Sequence, residues 1–205
     1  MATAGLWRGG APLVLASRSE VRGKVLAAAA IPLEIMPARI DERAVERDSG
    51  TTAPDRVAVM LARAKALAIS AQLPGRLVLG ADQTLALGEQ RFSKPQGPDD
   101  AAAQLRALSG QTHALHSGIA LARDGQILFD HCATARLRMR VLDEAMIATY
   151  LDAAGDAVLA SVGAYQIEGP GIHLFEEVEG DYFTIVGMPL LPLLAHLRQA
   201  KLVAA

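Results

Sequence analysis

Residues 13–30 read LVLASRSEVRGKVLAAAA, and this stretch decides the fold class. Leu13 to Ala16 is an apolar run of strand length, as expected of a strand buried on both faces, and the Leu- and Ala-rich segment Val21 to Ala30 beyond it has helical character. A strand, a tight polar turn and a helix form the repeating unit of α/β sheets. Working outward, Leu33 to Met36 is a second strand that ends at Pro37. A loop then carries Ile40-Asp41-Glu42 and the polar stretch Asp48 to Pro54. Thr52 or Asp55 supplies the cap of a helix that runs to about Gln72, where Leu73-Pro-Gly-Arg76 stops it. Leu77 to Leu79 is a third buried strand. It places Gly80-Ala81-Asp82-Gln83 at its carboxyl end, where open α/β sheets gather ligands, and Thr84 to Leu87 with Gly88 suggests a return hairpin.

The second half changes period. Asp99 and Asp100 open a helix whose dipole they complement, and Ser109-Gly110 terminates it. His113 to Ala122 and Ile127 to Val141 alternate as two long antiparallel strands around an Asp124-Gly125 turn. A helix from Asp143 to about Ala153, Gly- and Pro-rich loops with short strands, and a closing helix from Pro189 to about Lys201 complete the chain. The switch near residue 110 predicts an α/β (mixed α+β) fold, with helices flanking a central mixed β-sheet. Residues 1–10 read as a disordered tail and residues 11–205 as a single domain of two lobes.

Composition narrows the function. Half of the 205 residues are apolar (51%), which is enough for a substantial core, and the net charge of -2 provides no basic field for sequence-independent binding to nucleic acid or to an acidic membrane. A bound polyanion must be met by locally placed cations. Cys132 is the only cysteine, which excludes an intrachain disulfide and a multi-thiolate metal site. The apolar runs fall far short of the roughly 20 residues needed to cross a bilayer, and the opening residues lack a secretory signal's apolar stretch, so a cytoplasmic location is expected.

The familiar signatures are absent: no GxxxxGK[ST] loop, no GxGxxG after a strand, no GxSxG and no HExxH. His113 and His116 stand three apart, a spacing that puts them on opposite faces of a strand and argues against a shared metal. What remains is a scatter of polar residues at element ends: Ser17, Arg18, Ser19, Arg22, Asp41, Glu42, Lys65, Asp82, Gln83 and Lys94. Taken singly, the serines read as helix caps, Lys65 as a solvated face and Asp82 as a turn former. Together, serines and an arginine at a strand-to-helix turn suit a phosphate, because N–H groups, hydroxyls and the helix dipole all favour an anion there.

In order, the chain carries Leu15-Ala-Ser-Arg-Ser-Glu-Val-Arg22, Ile40-Asp-Glu42, Leu61-Ala-Arg-Ala-Lys-Ala66, Leu79-Gly-Ala-Asp-Gln83 and Ser93-Lys-Pro95. Leu108-Ser-Gly-Gln-Thr-His113, Gly163-Ala-Tyr-Gln-Ile-Glu-Gly169, Glu179-Gly-Asp-Tyr182 and Val186-Gly-Met-Pro-Leu190 follow. This series resembles the Maf family of nucleotide pyrophosphatases from Leu13 to about Leu197. The resemblance implies a Maf/ITPase-like fold with two lobes around a deep cleft, often as a homodimer. It also implies hydrolysis of a nucleoside triphosphate between its α and β phosphates, to the monophosphate and pyrophosphate.

Residue by residue, the resemblance makes Asp82 the proton acceptor and Glu42 a second acid. Lys65 and Lys94 join them as catalytic cations, and Ser17 and Arg22 bind phosphate. Asp82 and Glu42 are also the expected holders of a divalent cation such as Mg²⁺. Where the family's serine-arginine loop has Pro and a first Arg, this chain has Glu20 and Val21, and the Glu20 side chain is expected to point away from phosphate. Gln83 and Glu168 occupy the base-reading positions. A carboxylate at 168 can accept from the adjacent N–H donors of a guanine but faces repulsion from the carbonyls of uracil or thymine. The pair therefore resembles the branch that hydrolyses 7-methyl-GTP, although Val21 stands where that branch carries a stacking Trp, leaving Tyr165 as the substitute. The rivals are a dTTP/UTP pyrophosphatase of the same family and a weakly catalytic nucleotide-binding regulator of cell division.

Overall fold

The computed structural model describes residues 5–204. In chain order the elements are β1 (Leu13–Leu15), α1 (Glu20–Ala28), β2 (Leu33–Ile35), α2 (Glu42–Ser49), α3 (Pro54–Ser70), β3 (Val78–Leu87) and β4 (Gln90–Phe92). They continue with α4 (Pro98–Leu108), β5 (Thr112–Arg123), β6 (Gln126–Met139), α5 (Glu144–Ala154), β7 (Phe175–Glu179), α6 (Tyr182–Ile185) and α7 (Leu190–Gln199). The strands form one sheet in the order β2-β1-β3-β5-β6-β7, with β4 paired to β3. β1 runs parallel to β2 and β3, while β3–β4 and β6–β7 are antiparallel, so the sheet is mixed as expected.

Two compact units divide the chain. The first takes the residues up to Gln83, Ser117–Ala133 and the segment from Gly187 onward, and the second takes Thr84–His116 and Thr134–Val186. In the first, Val14, Ala16, Ile69 and Val78 pack together, and Ala62 and Ala66 of α3 meet Ala120 and Ala122 of β5. The second is built on Leu85, Leu105, Leu108, Leu115, Leu137, Met139, Ile147 and Leu174.

α3 lies on the sheet through bare backbone. A Cβ added to Gly80 would stand 2.0 Å from the Ala62 carbonyl oxygen, and one on Gly118 would stand 2.4 Å from Ala58. Ala58, Ala62 and Ala66 repeat at intervals of four along one face of the helix, and the two strand glycines receive that face.

Several local expectations are corrected. Residues 42–49, read as loop, form α2: the Asp41 side chain accepts from Ala44 N, and Gly50 closes the helix at φ +64°. α2 has no buried residue, and Ala44 and Val45 are its only apolar side chains, too few to be read as a helical stripe. Neither Thr52 nor Asp55 is the cap of α3; Ala53 holds that position, with Pro54 opening the first turn. Asp82 does not end a strand but lies inside β3, since Gly80 serves the helix approach rather than a turn. Residues 155–174 make 3-10 turns where short strands were expected, and β7 alone forms.

Of the tail expected at residues 1–10, the first four lie outside the described residues. Trp7 forms a β-bridge with Val203, and Arg8 N donates to Leu202 O at 2.8 Å. Among the described residues no helix is long and apolar enough to cross a membrane.

Candidate active site

β1 ends at buried Leu15 and hands the chain to the Ser17-Arg18-Ser19 turn. Ser19 caps α1, its hydroxyl accepting from Arg22 N at 3.4 Å. That cap turns Arg22 back over the turn, where its guanidinium donates to Ser17 Oγ at 3.2 Å and to the Ala81 carbonyl at 2.8 Å. Gly187, at φ +84°, leaves room for it: a Cβ there would stand 3.0 Å from Arg22 Nε. Burial lowers the Arg22 pKa, against the opposing charges of Asp82 and Glu42. Arg22 Nε is buried with no hydrogen-bond partner among the described residues. A buried guanidinium with an unused donor is suited to an incoming oxyanion.

Lys65 links the acids. Its ammonium stands 2.5 Å from Asp82 Oδ1 and 2.8 Å from Glu42 Oε1, with the Lys65 and Asp82 side chains only 12% and 13% exposed. The Gly80 notch seats α3 close enough to β3 for this contact. Burial raises the Asp82 carboxyl above its ordinary range despite the attraction of Lys65 and Arg22. The result is a carboxylate made more basic without being deprived of its cations. Gln83, next along β3, donates from Nε2 to Ser117 Oγ at 2.9 Å.

The first unit thus brings together Ser17, Arg22, Glu42, Lys65 and Asp82, which the sequence scatters over some sixty-five positions. Glu20 is 86% exposed, with its carboxylate 3.8 Å from the Lys24 ammonium. Lys94 and Glu168 belong to the second unit. Lys94 lies between β4 and α4, its carbonyl accepting from Gln96 Nε2 at 3.2 Å. Glu168 is exposed in a turn closed by Gly169 N donating to Gln166 O at 3.2 Å.

Tyr165 cannot stack on a nucleobase as it stands. It is buried, its hydroxyl 2.7 Å from His113 Nε2 and its ring edge-on to Phe175. His113 is buried and His116 partly exposed, on alternate faces of β5. Among the described residues no group of three or more His, Cys, Asp or Glu side chains gathers as a metal site. Asp82 and Glu42 do fit a hard cation that takes its other ligands from water and phosphate, because their oxygens already converge on one positive charge.

Sequence reasoning missed Gly80, Gly118 and Ser117. The available signal was the alanine stripe of α3 facing glycines in two strands.

The family model described as Maf-like protein matches residues 12–200. A nucleoside triphosphate pyrophosphatase of Nitrobacter winogradskyi is 58% identical over 199 residues, 97% of this chain and 98% of that one. One of Rhodopseudomonas palustris strain BisB18 is 57% identical with the same coverage. A 7-methyl-GTP pyrophosphatase of Brucella abortus is 53% identical over 192 residues, 92% of this chain and 96% of that one.

Proposed function

The chain belongs to the Maf family, and from that premise we propose that it is a nucleoside triphosphate pyrophosphatase, a hydrolase acting on the α–β phosphoanhydride. The observation that carries the reading is Lys65, whose ammonium meets both the Asp82 and the Glu42 carboxylates beside buried Arg22. Hydrolysis at the inner phosphorus needs an oriented water, a group to take its proton and positive charge around the equatorial and departing oxygens.

Asp82, its pKa raised by burial, takes the proton as the water oxygen bonds to the α phosphorus. The α–β bridging bond breaks, and its electron pair leaves with pyrophosphate. Arg22, Ser17 and Lys65 hold the phosphate oxygens, Lys65 exchanging part of its contact with the acids for the substrate. Lys94 is assigned to phosphate as well. A divalent cation held by Asp82 and Glu42, Mg²⁺ by its preference for carboxylate and phosphate oxygens, would supply further charge neutralisation.

Gln83 and Glu168 read the base, and the carboxylate at 168 favours guanine-type edges. The name of the Brucella relative supports 7-methyl-GTP as the preferred nucleotide. The single cysteine, the modest net charge and the nucleotide substrate go with a cytoplasmic enzyme that has no nucleic-acid or membrane partner; a homodimer is the assembly the family points to.

The test is a panel of 7-methyl-GTP, GTP, UTP and dTTP with Mg²⁺, reading pyrophosphate and monophosphate. Release of inorganic phosphate instead of pyrophosphate would overturn the proposed bond. Glu168→Gln is expected to reduce the preference for 7-methyl-GTP over UTP by about tenfold. An unchanged ranking removes Glu168 from base reading.

A further inference from the structure

Gln104 lies on the buried face of α4, among Ala101, Leu105 and Leu108, in a helix otherwise well suited to an apolar residue at that position. Both ends of its amide are used. Nε2 donates to the Ser93 carbonyl at 3.0 Å, and Oε1 accepts from Gly163 N at 3.2 Å. Only one orientation of the amide satisfies both partners, since a carbonyl must receive and a peptide N–H must give.

The two partners lie beside functional positions. Ser93 immediately precedes Lys94, and Gly163 begins the loop that carries Glu168. That loop is rigid from its first residue. Gly163 has φ +78°, and a Cβ there would stand 2.5 Å from Leu85; the next carbonyl, of Ala164, accepts from Tyr150 Oη at 3.0 Å; the Tyr165 hydroxyl meets His113. Three successive residues are thus fixed by α4, α5 and β5, and the Gln166–Gly169 turn follows directly. Of these anchors, Gln104 alone also grips the strand-to-helix segment of Lys94.

We propose that Gln104 is a positioning residue, a side-chain bridge that sets Lys94 and the Glu168 loop in one fixed arrangement. This rests on the reading of Lys94 and Glu168 as substrate-binding groups. A methionine at position 104 fills the same volume in a helix and an apolar surrounding, yet it can neither donate to Ser93 nor accept from Gly163. A merely structural glutamine would lose only stability on such a change. A positioning glutamine loses substrate binding in a protein that still folds.

The experiment is a double-mutant cycle of Gln104→Met and Lys94→Ala, with KM and kcat for 7-methyl-GTP and UTP and a thermal melt of each protein. Gln104→Met is expected to melt cooperatively and to raise KM about tenfold, because small misplacements of binding groups cost one to two orders of magnitude. In the Lys94→Ala background the same change should cost distinctly less, the remaining loss being the share that acts through the Gly163 arm and the Glu168 loop. Equal losses in both backgrounds, or an unchanged KM in folded Gln104→Met, would overturn the proposal. A Lys94→Ala protein with wild-type KM would instead overturn the assignment of Lys94 itself, without any change at position 104.

Gln104→Glu separates the two arms. It still accepts from Gly163 N but presents a carboxylate oxygen to the Ser93 carbonyl, so KM should rise while the ranking of the two nucleotides stays as in the unaltered protein. A KM unchanged, or a ranking that shifts with it, counts against the bridge.

Discussion

In the first unit Arg22, Glu42, Lys65 and Asp82 gather their charges in a partly desolvated cluster, whereas in the second the Gly163 and Ala164 backbone is held by a neutral amide and a phenol, and the Tyr165 hydroxyl by an uncharged imidazole. The two means respond to pH with opposite sign. Burial raises Asp82, so its contribution to stability is full when the carboxyl is protonated and is lost as pH rises through its folded value. Burial lowers His113 from 6.5 to about 4, so its contribution is complete above 6.5 and drains away as pH falls toward 4. The charged cluster carries a cost in stability, which the proposed chemistry would explain. The neutral loop serves by keeping its shape.

The sharpest way to break this contrast is at Asp82. Asp82→Asn is expected to lower turnover on the order of a hundredfold or more while leaving the fold intact, measured as pyrophosphate release from a protein of normal circular dichroism. Near-normal turnover would remove Asp82 as the base. Next in size is Gly80→Ala, which drives a methyl group into the Ala62 carbonyl; it should cost about 3 kcal/mol in denaturant unfolding and weaken catalysis by lifting Lys65 off Asp82. A melt like that of the unaltered protein would show that α3 can retreat at little cost.

On the neutral side, lowering pH from 6.5 toward 4 should remove roughly 2–3 kcal/mol through His113, and His113→Gln should flatten that slope relative to the unaltered chain. Parallel slopes would deny the imidazole its part. The smallest effect concerns Asp82 again. Because burial outweighs Lys65 and Arg22 at this carboxyl, Asp82→Asn should raise the melting temperature at neutral pH by about 2 °C, even as activity falls. A lowered melt would mean that the ion pair with Lys65 wins over burial.

Much of this was legible from the residues. The strand–turn–helix of residues 13–30, the α4 boundaries and the Asp124-Gly125 hairpin turn follow from apolar period and turn chemistry, which are local properties. α2 was hidden because its residues are nearly all polar and none is buried; only its caps marked it. Asp82 was placed at a strand end because Gly and Asp are turn residues by habit, and nothing local reveals that Gly80 makes room for a helix. The site residues were drawn from a pattern of motifs, and the meeting of Glu42 and Asp82 on Lys65 is a tertiary fact that no spacing contains. Gln104 was invisible for the same reason: a glutamine among alanines reads as helix surface until its two partners are in view.

The glycine notches under α3 also act as an index. Gly80 meets the helix at Ala62 and Ala66, and Gly118 meets it one turn earlier at Ala58, so the helix backbone rests directly on strand backbone at two points a turn apart. The azimuth of Lys65 is therefore set by atoms that are not there. A mutational library that spares these two glycines varies the chemistry on a fixed frame, while one that includes them will lose the frame before it samples any new reaction.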